Sequence, residues 1–196
     1  VIPYDVDNVR LRYYARNDAR AYATGADVRF SGEFIKGAES WFSLGILQTK
    51  EDLAFDRAGY VRRPTDQRVT LAIFFQDHLP GNPSWRVYLN AIYGSGLPFG
   101  PPRNLDNRGV FQAPAYRRVD VGFSKIVFFN RSGSGLGRYG DSIWIGAEIL
   151  NLLGARNVMS YNWVTDVRRR QYAVPNALSA RFLNLRVIVR FKSPEK

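Results

Sequence analysis

Cysteine is absent from the 196 residues. That excludes a disulfide framework, thiolate metal sites and thiol redox chemistry. Histidine occurs once, as His78, so multi-histidine metal centres are excluded and Ser-His chemistry has one possible base. No run of about 20 apolar residues exists, so no segment reads as a transmembrane helix. No signal peptide is visible, although an exported mature chain would have lost one. There is no initiator Met, and the chain opens mid-pattern at Val1-Ile2-Pro3, which reads as a fragment or a processed product.

What is present bounds the class. The apolar share is 45%, too high for a disordered chain. The length fits one domain, and no linker, fixed-period repeat or low-complexity stretch divides residues 1–196. Net charge is +11 with a pI near 10.2, which raises nucleic acid as a partner. The surplus is almost all arginine and is spread over most segments, with one knot at Arg168-Arg169-Arg170. A nucleic-acid reader concentrates its charge on one face beside exposed aromatics, so that partner is not expected.

The dominant signal is period two. Tyr22, Thr24, Ala26, Val28, Phe30 and Phe34 oppose Ala23, Asp27, Arg29, Ser31 and Glu33. In a strand, successive side chains face opposite ways, so one face is uncharged and the other ionisable. The pattern recurs from Val9, from Phe42 to Ile46, from Val69 to Phe75 and from Trp85 to Tyr93. It returns from Val119 to Phe123, from Ile143 to Ile149 and from Leu183 to Phe191. About eight strands are predicted, most of them about 9–14 residues long, against a usual 5–6. Crossing an outer membrane takes about 9–11 tilted residues.

The connections alternate in length: 17–21 and 35–38 short, 51–67 long, 79–83 short, 95–115 long, 130–141 and 167–176 medium. With residues 142–166 as one long bent strand, bulged near Asn151–Asn157, the long loops fall on one side. Short turns on one side and long loops on the other are the habit of outer-membrane barrels. Aromatics at strand ends fit interfacial girdles: Tyr13, Tyr22, Phe34, Trp41, Phe75, Trp85, Tyr93, Trp163 and Phe191. A soluble β-protein gives the same alternation, and ordinary strand propensity also enriches aromatics.

Several motifs resolve into simpler readings. Gly135-Leu136-Gly137-Arg138-Tyr139-Gly140 matches a dinucleotide fingerprint by letters, but an alternating strand follows it where a helix N-terminus is required. His78 stands beside Asp77 with Ser84 nearby, yet neighbours on a strand point apart, so Asp77 orients His78 poorly. Glu33, Asp120 and Glu148 lie on the ionisable face, where a glycosidase pair is the sharper reading and ion pairing with Arg29, Arg118 and Arg186 the simpler one. Asp5-Val6-Asp7 lacks the rest of a calcium loop, and Asn130-Arg131-Ser132 is a sequon by letters only.

Longer motifs carry a resemblance. They are Arg20–Asp27, Arg62-Arg63-Pro64-Thr65-Asp66-Gln67-Arg68-Val69, Tyr93-Gly94-Ser95-Gly96-Leu97-Pro98-Phe99-Gly100-Pro101-Pro102, Tyr116-Arg117-Arg118-Val119-Asp120-Val121-Gly122-Phe123, Tyr172-Ala173-Val174-Pro175-Asn176 and the strand Leu183–Phe191. Together they resemble the C-terminal barrel segment of TonB-dependent outer-membrane receptors of the Bacteroidetes type, over nearly the whole chain. The resemblance implies an all-β, antiparallel up-and-down transmembrane barrel, of which this chain supplies about eight of 22 strands. It implies uptake of a siderophore, cobalamin, glycan or peptide, with no enzyme activity and no cofactor. Implied partners are outer-membrane lipid and lipopolysaccharide, an N-terminal plug lying upstream, the TonB complex and the barrel-assembly machinery. That machinery would read the terminal strand through Leu185, Val187, Val189 and Phe191. Lys192–Lys196 follow Phe191, whereas the family ends on or near the aromatic.

The expected roles follow. Asp27, Arg29, Glu33, Arg118, Asp120, Glu148 and Arg186 face the lumen. Tyr161, Trp163 and Tyr172 are candidate ligand contacts at the outer rim. Two rivals are a complete small eight-strand outer-membrane barrel with a structural or adhesive role, and a soluble basic β-protein that binds an acidic partner.

Overall fold

The computed structural model describes residues 4–7, 10–13, 18–33, 38–54, 56–79, 81–101, 104–129, 140–178 and 180–191. These are all-β, with one 3₁₀ turn at Leu105–Asn107. The strands are β1 (Tyr4–Asp7), β2 (Arg10–Tyr13), β3 (Ala19–Gly32), β4 (Glu39–Leu53), β5 (Val61–Arg62), β6 (Val69–Leu79) and β7 (Asn82–Gly94). They continue as β8 (Pro98–Phe99), β9 (Phe111–Gln112), β10 (Tyr116–Phe128), β11 (Gly140–Leu150), β12 (Val158–Thr165), β13 (Gln171–Ala177) and β14 (Phe182–Phe191). The main sheet runs β3-β4-β6-β7-β10-β11-β14, every neighbour antiparallel, with β5 added beside β4. Its long strands hold 10 to 15 residues.

Register sorts the two faces. One row reads Ser40, Phe75, Leu89, Val121, Ile149, Leu183 across six strands. The row two residues nearer the 79–82 turn reads Asp77, Val87, Phe123, Ala147, Leu185, and Lys125 stands opposite Trp85 in the row after it, so these two charges on the face lie towards the turn end. Directly paired residues share a face, so the apolar positions of every long strand join into one continuous surface. The opposite face carries the row Glu39, Gln76, Tyr88, Gly122, Glu148, Asn184. Next to it runs Ser31, Trp41, Phe74, Asn90, Asp120, and beyond that Arg29, Ser43, Ala72, Ile92, Arg118.

The apolar face has no second layer among the described residues. Their only buried apolar side chains are Ala38 and Leu53. Phe30, Phe123, Leu183, Leu185 and Val187 are exposed, Leu185 to 72%. Total accessible surface is 14014 Å², against about 9,400 Å² for a compact monomer of this mass.

The structure corrects several expectations. Residues 10–13 pair with β1 in a separate two-stranded sheet and are not part of the main sheet. β3 begins at Ala19, earlier than the sequence suggested, and β13 begins at Gln171, so the turn between β12 and β13 is shorter than expected. Residues 142–166 are two strands, β11 and β12, separated at 151–157; with β14 and β13 as partners they form one interrupted hairpin. The described sheet is open, with β3 and β14 at its edges, and no closed barrel is formed among the described residues. Trp41 pairs with Ser31 and Phe74, which places it on the polar face, away from the apolar surface. Residues 34–37, most of the Gly135–Gly140 motif, the 130–132 sequon and Lys192–Lys196 lie outside the described residues, as does the side chain of Tyr13.

Small residues let the polar face fill without strain. Tyr88 lies flat across Gly122, where an added Cβ would sit 2.0 Å from its ring. The Tyr88 hydroxyl donates to Glu148, which also accepts from Asn184 Nδ2 at 3.3 Å. Gly122→Val is therefore expected to displace Tyr88 and cost about 1–3 kcal/mol. A double-mutant cycle with Tyr88→Ala checks it: the two changes should be strongly non-additive, because removing the ring removes the clash.

Candidate functional site

The two ends of the sheet differ. At one end, β6 and β7 are joined by a tight turn with Gly81 at φ 79°, a left-handed conformation suited to glycine. At the other end, residues 54–68, 95–115 and the β12-β13 hairpin gather. This loop end carries the most organised side-chain chemistry of the described residues.

Its floor is a set of buried ions. Glu51, at the end of β4, is fully buried; it lies 3.1 Å from Arg63 Nε and 3.4 Å from Arg108 Nε. Arg108 also pairs with Asp56. Asp66 is likewise buried and accepts from Arg62 Nε at 2.6 Å, Arg68 Nε at 2.9 Å and the Thr49 amide at 2.6 Å. Burial alone would raise the Asp66 pKa, but the Thr49 amide and the two guanidinium groups outweigh it and hold the carboxyl below its usual value. Backbone bonds from Leu47 to Arg68 and from Arg63 to Thr49 tie the same loop to β4.

Above this floor sits an aromatic group. Phe99 of β8 stacks on Tyr161 of β12 at 4.0 Å between ring centroids, with an interplanar angle of 7°. Trp163 lies 6.3 Å from Phe99 and 6.4 Å from Phe111. Tyr161 and Trp163 are two apart on one strand and so share a face. A cavity of about 420 Å³ opens here, bordered by Arg62, Gln67, Ser95, Phe99, Arg108, Met159, Tyr161 and Trp163. Gly96 permits the close approach of β8 to β9: an added Cβ would lie 1.7 Å from the Ala113 carbonyl oxygen.

The β11-β12 break is built from asparagines. Asn157 is buried; its Oδ1 accepts from the Arg117 amide at 2.8 Å and its Nδ2 donates to the Arg117 carbonyl at 2.9 Å. Asn151 takes φ 52°, and its amide donates to Asp120 Oδ1 at 2.8 Å.

The residues expected at the rim divide. Tyr161 and Trp163 come together at the cavity, while Tyr172 is half exposed on the other face of the hairpin and donates to Asp166 at 3.4 Å. Of the polar-face residues, Arg118 bonds Asp120 at 2.8 Å and Arg186 lies 3.6 Å from Glu148. Arg29 lies over Trp41 at 5.2 Å. Asp27 sits beside Gly45 in the same face, and Glu33 follows the end of β3. His78 Nε2 is 3.4 Å from Arg86, while Asp77 accepts only its backbone amide and Ser84 bonds Asn82. No nucleophile-base pair is assembled there. Among the described residues, no three His, Cys, Asp or Glu gather closely enough to hold a metal ion. Sequence reasoning missed Glu51, Asp56, Asp66, Arg108 and Phe99. Asp56 and Phe99 find their partners 52 and 62 positions away, in Arg108 and Tyr161, and the nearer pairs of Asp66 with Arg62 and Arg68 sit in a loop that obeys no period.

No known family profile matches the chain, and no curated protein or solved structure matches it either.

The Asp66 network generates a prediction. Asp66→Asn should destabilise the loop end by about 3 kcal/mol, since it leaves two guanidinium groups without their buried carboxylate. Because folding lowers the Asp66 pKa, its contribution is complete above the ordinary carboxylate range and is lost as pH falls through the folded value. Trypsin cleavage after Arg57 reads the first effect: it should accelerate in the variant at pH 7, where the wild type stays protected. Acid unfolding followed by tryptophan fluorescence reads the second: unfolding of the wild type should advance below about pH 4.

Proposed function

We propose that this chain forms the C-terminal part of the barrel wall of an outer-membrane TonB-dependent transporter. One observation carries the reading: a continuous apolar face spans seven strands with no layer of the described residues against it. A soluble sheet would bury that face on a second layer. Lipid would cover it directly.

Other features support the same reading. Each long strand of the sheet has at least 10 residues, enough to cross the apolar layer when tilted. On the apolar face, Tyr93 and Trp85 stand eight residues apart on β7, as Tyr22 and Phe30 do on β3. That spacing is about 27 Å along a strand, close to the height of a lipid-facing band flanked by aromatic girdles. The polar face, with Arg29, Arg118, Asp120, Glu148 and Arg186, would line the lumen or meet an upstream plug. The loop end would face outwards and meet ligand and lipopolysaccharide, and its cavity would help receive a siderophore, cobalamin, glycan or peptide. The open edges β3 and β14 would pair with the remaining strands, since lipid tolerates no unpaired edge. Leu185, Val187, Val189 and Phe191 lie on the apolar face of the edge strand β14, which would point outwards from the barrel, where the barrel-assembly machinery would read them. On this reading the chain acts as scaffold and gate, not as an enzyme.

An antibody against residues 95–115 tests the assignment in fractionated source cells. The expected result is an outer-membrane band several times the 22.3 kDa of this chain. A band near that mass in the same fraction would point to a small self-closing barrel and remove the transport reading. The lipid-facing assignment has its own measurement, refolding of the native polypeptide into vesicles. Leu185→Arg should cost about 2–4 kcal/mol there, whereas Arg186→Gln on the opposite face should cost less than about 1 kcal/mol. The reverse order would sink it.

A further inference from the structure

The cavity at the loop end has a chemical bias that the chain's overall charge conceals. Two cationic side chains border it, Arg62 and Arg108. Both are already matched by buried carboxylates. Arg62 lies 2.6 Å from Asp66, and Arg108 pairs with Glu51 and Asp56. The side chains of Glu51 and Asp66 have no exposure at all, and that of Asp56 has 1%. Turning Arg108 towards an anionic ligand would take from buried Asp56 its guanidinium partner and leave Glu51 with Arg63 alone, and turning Arg62 would leave Asp66 with Arg68 and the Thr49 amide, so each move weakens a buried ion cluster. Neither arginine is therefore free to act as an anion receptor.

The remaining wall is apolar or neutral. Phe99, Tyr161 and Trp163 present aromatic surface, whose negative ring faces favour C–H groups and disfavour anions. Gln67 and Ser95 supply uncharged hydrogen-bonding groups at the cavity edge, where Gln67 Nε2 donates to the Ser95 carbonyl at 3.1 Å. A cation would suit the ring faces but would approach a chain of net charge +11. The volume of about 420 Å³ lies within the range of small-molecule sites.

We infer that this cavity receives an uncharged ring with an apolar face and a polar edge, and that it selects against anionic ligands. The inference rests on the loop end being the ligand-facing side of the proposed transporter, and it narrows that reading to neutral ligands or to a neutral ring within a larger ligand.

Two probes that share one aromatic ring test it: 4-nitrophenyl β-glucoside, which is neutral, and 4-nitrophenyl sulfate, an anion. The native polypeptide carrying this sequence, extracted in detergent, is dialysed to equilibrium against each. The glucoside should be retained about ten-fold more tightly than the sulfate. Phe99→Ala should weaken glucoside retention about five-fold by removing the stacking platform. Met159→Lys places an added cation at an exposed wall position, so the fold should tolerate it. It should narrow the preference about five-fold. Sulfate held as tightly as glucoside, retention of neither probe, or an unchanged affinity in Phe99→Ala would each overturn the inference. Vesicle refolding and outer-membrane fractionation are read separately. A lost preference in a protein that passes both removes the neutral-ligand inference and leaves the transporter reading in place.

Discussion

The apolar face of the seven-strand sheet has nothing of the described chain against it, and that single fact orders the rest of the structure. A strand gains little from its ladder alone, because each backbone hydrogen bond replaces one to water. Burial normally supplies the remainder, and here the described residues bury two apolar side chains. Whatever covers the sheet is therefore part of its folding free energy. If lipid covers it, as proposed, the two edge strands must also be paired, since hydrocarbon offers no substitute for a missing donor or acceptor. β3 and β14 then require further strands, or each other. The uncovered face and the open edges pose one physical problem, and closure of a barrel in a bilayer answers both.

The loop end has a different solution. Its described residues organise around carboxylates with no exposure: Glu51, Asp66 and, almost fully, Asp56. Buried ions are costly to desolvate and contribute little net stability unless each is well paired. What they supply is position. Arginine presents a planar fork of donors, so one Arg108 joins Glu51 of β4 to Asp56 in the following loop while bordering the cavity. A further part of the arginine surplus lies over aromatic rings on the polar face. Arg86 and Arg190 both lie over Trp144, at 5.4 and 5.7 Å. These arginines of the described residues are thus engaged locally, in pairing and stacking.

Period two made the wall legible from sequence, down to the face of each residue: Val28, Leu44, Leu71, Leu89, Val121, Ile149 and Leu183 all lie where alternation places them. Alternation could not show which strands pair. Residues 10–13 alternate like the rest, yet they join β1. The rim was legible only in fragments. Tyr161 and Trp163 stood out as aromatics near a strand end, but Phe99, on which Tyr161 stacks, lies 62 positions away in a loop with no period. Asp56 and Arg108 are separated by 52 positions. Such pairings depend on loop closure in three dimensions and leave no local mark.

The asparagine break between β11 and β12 explains how one hairpin serves both regimes. An uninterrupted strand would keep residues 161 and 163 on the same side as Ile149, continuing the uncovered apolar face beyond the sheet. At 151–157 the chain leaves the ladder, with Asn151 in the left-handed region that asparagine tolerates better than most residues. Asn157 then offers the Arg117 backbone one acceptor and one donor, as a neighbouring strand would. A side-chain amide has the shape and polarity of a peptide group, so β10 keeps its hydrogen bonds while the covalent path turns away. After the break, Tyr161 and Trp163 meet Phe99 and Phe111 instead of the medium outside. The wall keeps a strict alternation and the rim is released from it, with no backbone bond of Arg117 left unmade at the junction.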